Sequence, residues 1–238
     1  TEMQVHEVTQ GEWKTAFGDW NPSTSSKGDS YPVETVSWYD SCAYANWKSE
    51  QAELTPCYAF SGVTCEDGSS VGSNYKDCLD VAHGGIDSAT VTLAGGASKP
   101  YDCEGYRLPT DTEWEYAARA GSLTAFYPSV GNDGNITQTG CEDPNLDKIG
   151  WYCGNNTPSG TKVVGGKSAN GMGLKDMSGN VWEWCSDWYG TYPGGTQAVP
   201  DEDPYGSGGS GRVRRGGSCY NHAKFCRSAF RGSFSPGD

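Results

Sequence analysis

Three stretches of the chain repeat apolar residues at helical spacing behind a polar start signal. Thr9-Gln-Gly-Glu12 has capping-box spacing, in which the Thr and Glu side chains satisfy backbone donors left open at a helix start. It predicts a helix to about Phe17, stopped by Gly18. Ser37 precedes Trp38, Cys42 and Ala45, which fall on one helical face, and Asp40 stands at the third helical position. That helix is expected to reach about Glu50. Thr110-Asp-Thr-Glu113 opens a third helix over 111–120, with Trp114, Ala117 and Ala118 as its buried face and Gly121 as its stop.

Alternation with the period of a strand marks Val181-Trp182-Glu183-Trp184. Strands are also expected over Met3–Val8, Tyr58–Ser61, Ala89–Leu93 and Arg212–Ser218. Loops fill 20–32, 122–167 and 191–211, and Cys219–Asp238 has neither period. The stretch around 55–104, with Cys57, Cys65, Cys78 and Cys103, reads as an insertion held by disulfides within a single domain spanning 1–238.

Asn170–Gly190 is the densest stretch, with three of the nine tryptophans. Ser178-Gly179-Asn180 leads into the alternating strand, and glycine supplies backbone conformations that side chains forbid. Asp176 and Glu183 supply hard oxygen ligands, so the stretch suggests a rigid corner with a cation bound at its turn.

Composition sharpens this picture. Only 35% of the 238 residues are hydrophobic, 12% are aromatic, and there are 34 glycines. This describes a loop-rich globule built around Trp and Tyr rather than aliphatic layers. The net charge of −13 argues against nucleic acid, whose phosphates require a basic surface. Ten cysteines without a CxxC pair, and only three histidines, argue for disulfides in an oxidising compartment rather than for a zinc site. No apolar run reaches the roughly 18 residues of a membrane span. No signal-peptide pattern opens the chain, so an exported protein would be a mature or trimmed form.

Four ordered segments carry a resemblance: Glu7-Val-Thr-Gln-Gly-Glu-Trp13, Gly105-Tyr-Arg-Leu-Pro-Thr-Asp-Thr-Glu-Trp-Glu-Tyr-Ala-Ala-Arg119, Gly173-Leu-Lys-Asp-Met-Ser-Gly-Asn-Val-Trp-Glu-Trp184 and Arg212-Val-Arg-Arg-Gly-Gly-Ser218. Together they resemble the formylglycine-generating enzyme (sulfatase-modifying factor) family over nearly the whole chain outside 55–104. The resemblance implies an irregular α+β fold related to C-type lectins, with low regular secondary structure and bound calcium. Its calcium pattern falls on Asp176, the carbonyls of Gly179 and Val181, and Glu183. A second site would use Asn145 and the carbonyl of Leu146. The alternative for the first site is Asp176 capping a turn and Glu183 pairing with an arginine.

The family's enzyme oxidises a protein cysteine with two thiols that bind copper(I), a soft ion needing thiolate ligands. Matching Arg227 and Arg231 to the family's arginines places those thiols at Ala223 and Ser228. An ungapped count places them at Cys226 and Arg231. Neither supplies the pair, which disfavours copper and oxidase activity. Cys219 and Cys226 have a bland reading as disulfide partners. The bridges expected on this scaffold are Cys185–Cys226 and Cys141–Cys153.

Cys219–Asp238 also resembles the variable segment of retroelement-diversified proteins built on this scaffold. That implies a non-catalytic, extracytoplasmic binding protein (secreted, periplasmic or cell-surface). Its protein or glycan ligand would meet Tyr220, Asn221, His222, Phe225, Phe230 and Phe234, with Trp188 and Tyr189 nearby. Aromatics give contact area at low entropy cost. The alternatives are an oxidase acting on a protein cysteine, a component of a surface assembly, and a solvated terminal loop.

Overall fold

The computed structural model describes residues 2–26, 28–192 and 205–238. Most of the loop expected over 191–211 lies outside them. All three capped helices form. Helix α1 spans Gln10–Phe17, α2 Trp38–Gln51 and α3 Asp111–Arg119, each with a reciprocal capping box at Thr9/Glu12, Ser37/Asp40 and Thr110/Glu113. Asp40 does more than cap. One oxygen accepts from Ser37 N at 3.0 Å and the other from Ile86 N at 2.9 Å, which ties the start of α2 to a distant strand. A single short turn, α4 (Leu146–Ile149), interrupts the long loop before the corner.

Among the described residues, two small antiparallel sheets accompany the helices. In the first, β1 (Tyr58–Cys65) lies between β2 (Ser70–Gly72) and β3 (Ile86–Leu93). Two disulfides, Cys57–Cys103 and Cys65–Cys78, close this segment. In the second, β5 (Arg212–Arg215) lies between β4 (Glu183–Trp188) and β6 (Gly232–Phe234).

The core is aromatic, as the composition requires. One cluster packs α1 and α2 on the first sheet, with Trp13 stacked on Tyr44 at 5.4 Å. The other gathers Trp114, Phe126, Tyr127, Tyr152, Met177 and Val213 between α3 and the second sheet. Indole N–H groups join the two: Trp38 donates to the Cys185 carbonyl at 2.9 Å and Trp184 to the Val36 carbonyl at 3.0 Å.

Several expectations need correction. Met3–Val8 forms no strand. Its backbone is spent on single contacts, with Val33 N donating to Val8 O and Lys175 N to Val5 O. The strand expected from Val181 starts at Glu183, because Asn180 is left-handed (φ 61°) and Val181 N turns onto the Glu7 carboxylate. β5 stops at Arg215, since Gly216 and Gly217 both take positive φ and leave the sheet. β6, three residues long, is too short to show a period. Cys141–Cys153 forms, whereas Cys185 and Cys226 are buried free thiols, as are Cys42 and Cys219. The charged neighbours of Cys185 include Asp111, Arg215, Asp187 and Glu183, the Cys226 thiol lies beside Cys219, and Cys185 and Cys226 belong to one buried cluster.

Candidate functional site

The corner at 176–183 is built on backbone that few residues tolerate. Asp176 and Asn180 both have φ near 60°, a region open to Asp and Asn because their short side chains bond locally. Gly179 N donates to Gly216 O at 2.8 Å, and a Cβ on Gly179 would lie 2.0 Å from the Trp151 carbonyl oxygen. Only glycine fits there.

Three carboxylates face this corner. Asp176 Oδ2 accepts from Gly165 N at 2.5 Å, while its Oδ1 is buried without a hydrogen-bond partner. Glu183 accepts from the Trp114 indole at 2.8 Å. Glu7, not anticipated as part of the corner, accepts from Asn180 Nδ2 at 2.8 Å and Val181 N at 3.2 Å. Burial pushes the Glu7 carboxyl well above its ordinary range, and the charges of Asp176 and Glu183 push it further. Glu183 is raised to about 7 by burial and then by Asp176, and burial also raises Asp176. At Asp176 the Gly165 hydrogen bond opposes this, followed by the His6 and Lys175 charges. Such a cluster resists full ionisation unless protons or a cation balance it.

The donor set is all oxygen, hard and partly buried, which suits calcium better than zinc or copper. Among the described residues, the only three His, Cys, Asp or Glu ligand atoms within 4.8 Å of one another belong to Cys141, Cys153 and His222. Two of those are in a disulfide. The carboxylates of the corner are therefore more widely spaced, and an ion held there would take carbonyl or water oxygens as well. At the second sequence-derived set, Asn145 Nδ2 donates to Asp133 Oδ1 and Asn135 O at 2.8 and 2.9 Å, and the Leu146 carbonyl accepts from Gly150 N at 2.9 Å.

The residues after Ser218 divide into framework and surface. Asn221 is framework, its side-chain oxygen accepting from Ser218 N and Oγ at 2.9 Å each. Tyr220 is 56% exposed and bonds Ser25 across the chain at 2.9 Å, apart from the other aromatics. His222 is exposed beside the Cys141–Cys153 bridge, 6.4 Å from the Phe225 ring. From there rings run on. Phe225 meets Phe230 edge-on at 5.0 Å, Phe230 lies 6.0 Å from Trp182, and Arg214 sits over both Trp182 (4.5 Å) and Phe234 (3.0 Å). Trp182 and Arg214 were missed from sequence. Strand alternation placed Trp182 opposite Glu183, which was the signal that could have found it.

Tyr189 belongs to a neighbouring patch with Tyr192, where Arg231 lies over both rings at 4.8 and 4.3 Å. Trp188 is committed to the scaffold, since Arg212 is sandwiched between Trp188 (3.8 Å) and Trp38 (3.7 Å). Beneath the surface, Arg215 is fully buried on Asp111 and also bonds Glu115 at 2.9 Å. Arg231 Nε reaches the other Asp111 oxygen at 2.6 Å.

The positions that the two alignments offer for copper ligands hold Ala223 and Ser228, or Cys226 and Arg231. Ala223, Ser228 and Cys226 are buried, and Arg231 is ion-paired. Burial pushes the Cys219 and Cys226 thiols up to about 11 and about 12, away from the thiolate form.

Comparison with known proteins agrees with this construction. Residues 1–238 match the family described as the sulfatase-modifying factor enzyme 1-like domain. The chain is 36% identical to a protein called chaperone protein LppX of Paenibacillus barcinonensis, over 77% of this chain and 61% of that one. It is 40% identical to the formylglycine-generating enzyme of Streptomyces coelicolor, over 56% of this chain and 43% of the enzyme. It thus spans less than two thirds of these curated relatives. Among solved structures, Treponema denticola variable protein 1 superposes with TM-score 0.70 at 31% identity, over 98% of this chain and 78% of that one. With the family matched end to end, the glycine corner in place and an α+β fold of short helices and small sheets, the chain belongs to the formylglycine-generating enzyme (sulfatase-modifying factor) family.

Proposed function

We propose that this chain is a non-catalytic, extracytoplasmic binding protein of that family, holding its ligand on the aromatic face formed by Trp182, Phe225, Phe230 and Phe234. The observation that carries the reading is the continuous array of rings on the second sheet and the loop after it. Rings held by a rigid framework lose little freedom on binding, which conserves affinity. The similarity to a protein named variable protein 1 supports a display role for the scaffold. Three disulfides support an oxidising, extracytoplasmic setting. No helix among the described residues is long and apolar enough to cross a membrane.

Calcium at the corner is part of the proposal, with Asp176, Glu183 and the carbonyls of Gly179 and Val181 as ligands. Its support is the orphaned Asp176 Oδ1 and the mutual repulsion of Asp176, Glu183 and Glu7. Bound calcium supplies charge neutralisation there. Glu7 holds Asn180 and Val181 and so positions the turn.

The reading is tested by panning a displayed peptide library and a glycan array against the full chain. Binders are expected that lose binding to a Phe230→Ala, Phe234→Ala double variant of unchanged melting temperature. Turnover of a cysteine-containing sulfatase peptide with copper(I) would overturn it.

A further inference from the structure

The charge of the chain is unevenly distributed. The protein carries −13 overall, yet residues 205–237 contain no Asp or Glu and six cations: Arg212, Arg214, Arg215, Lys224, Arg227 and Arg231. Three of these are accounted for inside the fold. Arg212 is stacked between two indoles, and Arg215 and Arg231 pair with Asp111. Arg214, Lys224 and Arg227 have no ion-pair partner among the described residues.

Two of the three sit on the aromatic array itself. Lys224 lies 4.9 Å over Phe225, and Arg214 lies over Trp182 and Phe234. Arg227 spends one N–H on the Lys224 carbonyl at 2.8 Å. The Arg214 guanidinium is partly buried between its rings, and its Nε has no hydrogen-bond partner. Burial lowers it to about 10, and among the described residues Asp238 acts against this from outside ion-pair distance. A partly desolvated guanidinium without an anion has lost hydration that only a ligand or water can restore. Its planar fork suits a carboxylate, which accepts two of its N–H groups at once.

Resting on the binding role proposed above, we infer that the ligand of this face is an acidic protein segment, with a carboxylate held by Arg214 and apolar side chains against Phe225, Phe230 and Phe234. A carbohydrate fits the same surface less well. Sugar hydroxyls are donors as well as acceptors, and this stretch has no acidic side chain before Asp238, while the Asn221 oxygen is already used by Ser218. Nucleic acid is opposed by the charge of the rest of the molecule.

The test pans a displayed peptide library against the 238-residue chain and measures selected peptides by fluorescence anisotropy. Selected sequences are expected to be rich in Asp and Glu, with interspersed apolar residues. Replacing their Asp and Glu by Asn and Gln is expected to abolish binding, and binding should weaken steeply with salt. Arg214→Gln should weaken binding about tenfold or more, and Arg214→Lys less, since it keeps the charge without the fork. Neutral or basic selected peptides would overturn the inference. So would an Arg214→Gln effect below about twofold for peptides that still need Phe230 and Phe234, a result that leaves the binding role intact. An acidic polysaccharide bound in preference to every acidic peptide would overturn the assignment to protein. Failure to select any peptide or glycan that depends on Phe230 would overturn both readings.

Discussion

Asp111→Asn tests the central electrostatic claim about this scaffold. Asp111 holds two guanidiniums, with Arg215 on one oxygen and Arg231 on the other at 2.6 Å. The Arg215 side chain is 0% exposed and the Asp111 side chain 2%. Asn keeps the shape of Asp, so no cavity opens and packing is unchanged. What changes is charge. Arg215 keeps Glu115, a carboxylate whose side chain is 24% exposed, and the carbonyls of Ser228 and Phe230. Breaking a buried pair while leaving one charge behind costs about 3–5 kcal/mol. The residual Glu115 contact and the partial exposure of Arg231 place the expectation near the lower end, about 3 kcal/mol. For a chain of this length that is roughly a 6–12 °C fall in melting temperature. Urea unfolding followed by tryptophan fluorescence measures it directly, with the same slope and a lower midpoint. Glu115→Gln is the control. Burial raises its carboxyl, but Arg119 and Arg215 outweigh that and hold it below its ordinary value. Its stabilisation is therefore present above the unfolded-state pKa and lost as pH falls through the lower folded value. Being partly solvated, it should cost no more than about 1 kcal/mol. A loss below about 1 kcal/mol for Asp111→Asn would show that the buried cluster is not what fixes Arg215.

Other outcomes follow from the same geometry. With chelator present, stability should fall as pH rises through about 7, because Glu183 has a raised folded-state pKa and its protonated form is favoured by folding. Calcium should remove that fall and raise the melting temperature, and Asp176→Ala or Glu183→Ala should abolish the calcium response. Melts identical with and without calcium would reject the ion. Thiol titration should find no reactive cysteine in the native protein and four after denaturation without reductant, since Cys42, Cys185, Cys219 and Cys226 are free and buried. Two after denaturation would mean a fourth bridge. Gly179→Ala should cost about 3 kcal/mol or more, because φ is +93° and the new methyl meets the Trp151 carbonyl. A near-neutral melt would show that the corner is not rigid.

Much of this was written in local sequence. The three capping boxes needed only residues three apart, so α1, α2 and α3 were legible to within a residue or two. The corner was legible as well, since Asp176, Gly179 and Glu183 lie within eight residues of one another. Partners brought from far along the chain were not. Glu7 reaches Asn180 across 173 residues, and no periodicity records that contact. Cys185 and Cys226 are expected partners, but a bridge requires converging side chains, and both thiols stay free although they belong to one buried cluster. Trp188 and Asn221 are expected near the ligand surface from the resemblance, and the fold gives each a framework contact that sequence does not record, Trp188 with Arg212 and Asn221 with Ser218. Which of six cations in 205–237 have no ion-pair partner among the described residues was likewise decided by the fold, when Asp111 came within reach of Arg215 and Arg231 and Arg214 settled over aromatic rings. Sequence thus determined the helices, the family and the glycine corner, because caps and turns are satisfied within a few residues. Tertiary structure decided the thiols, the third carboxylate and the array of rings around Arg214, because burial and charge pairing depend on which distant side chains meet.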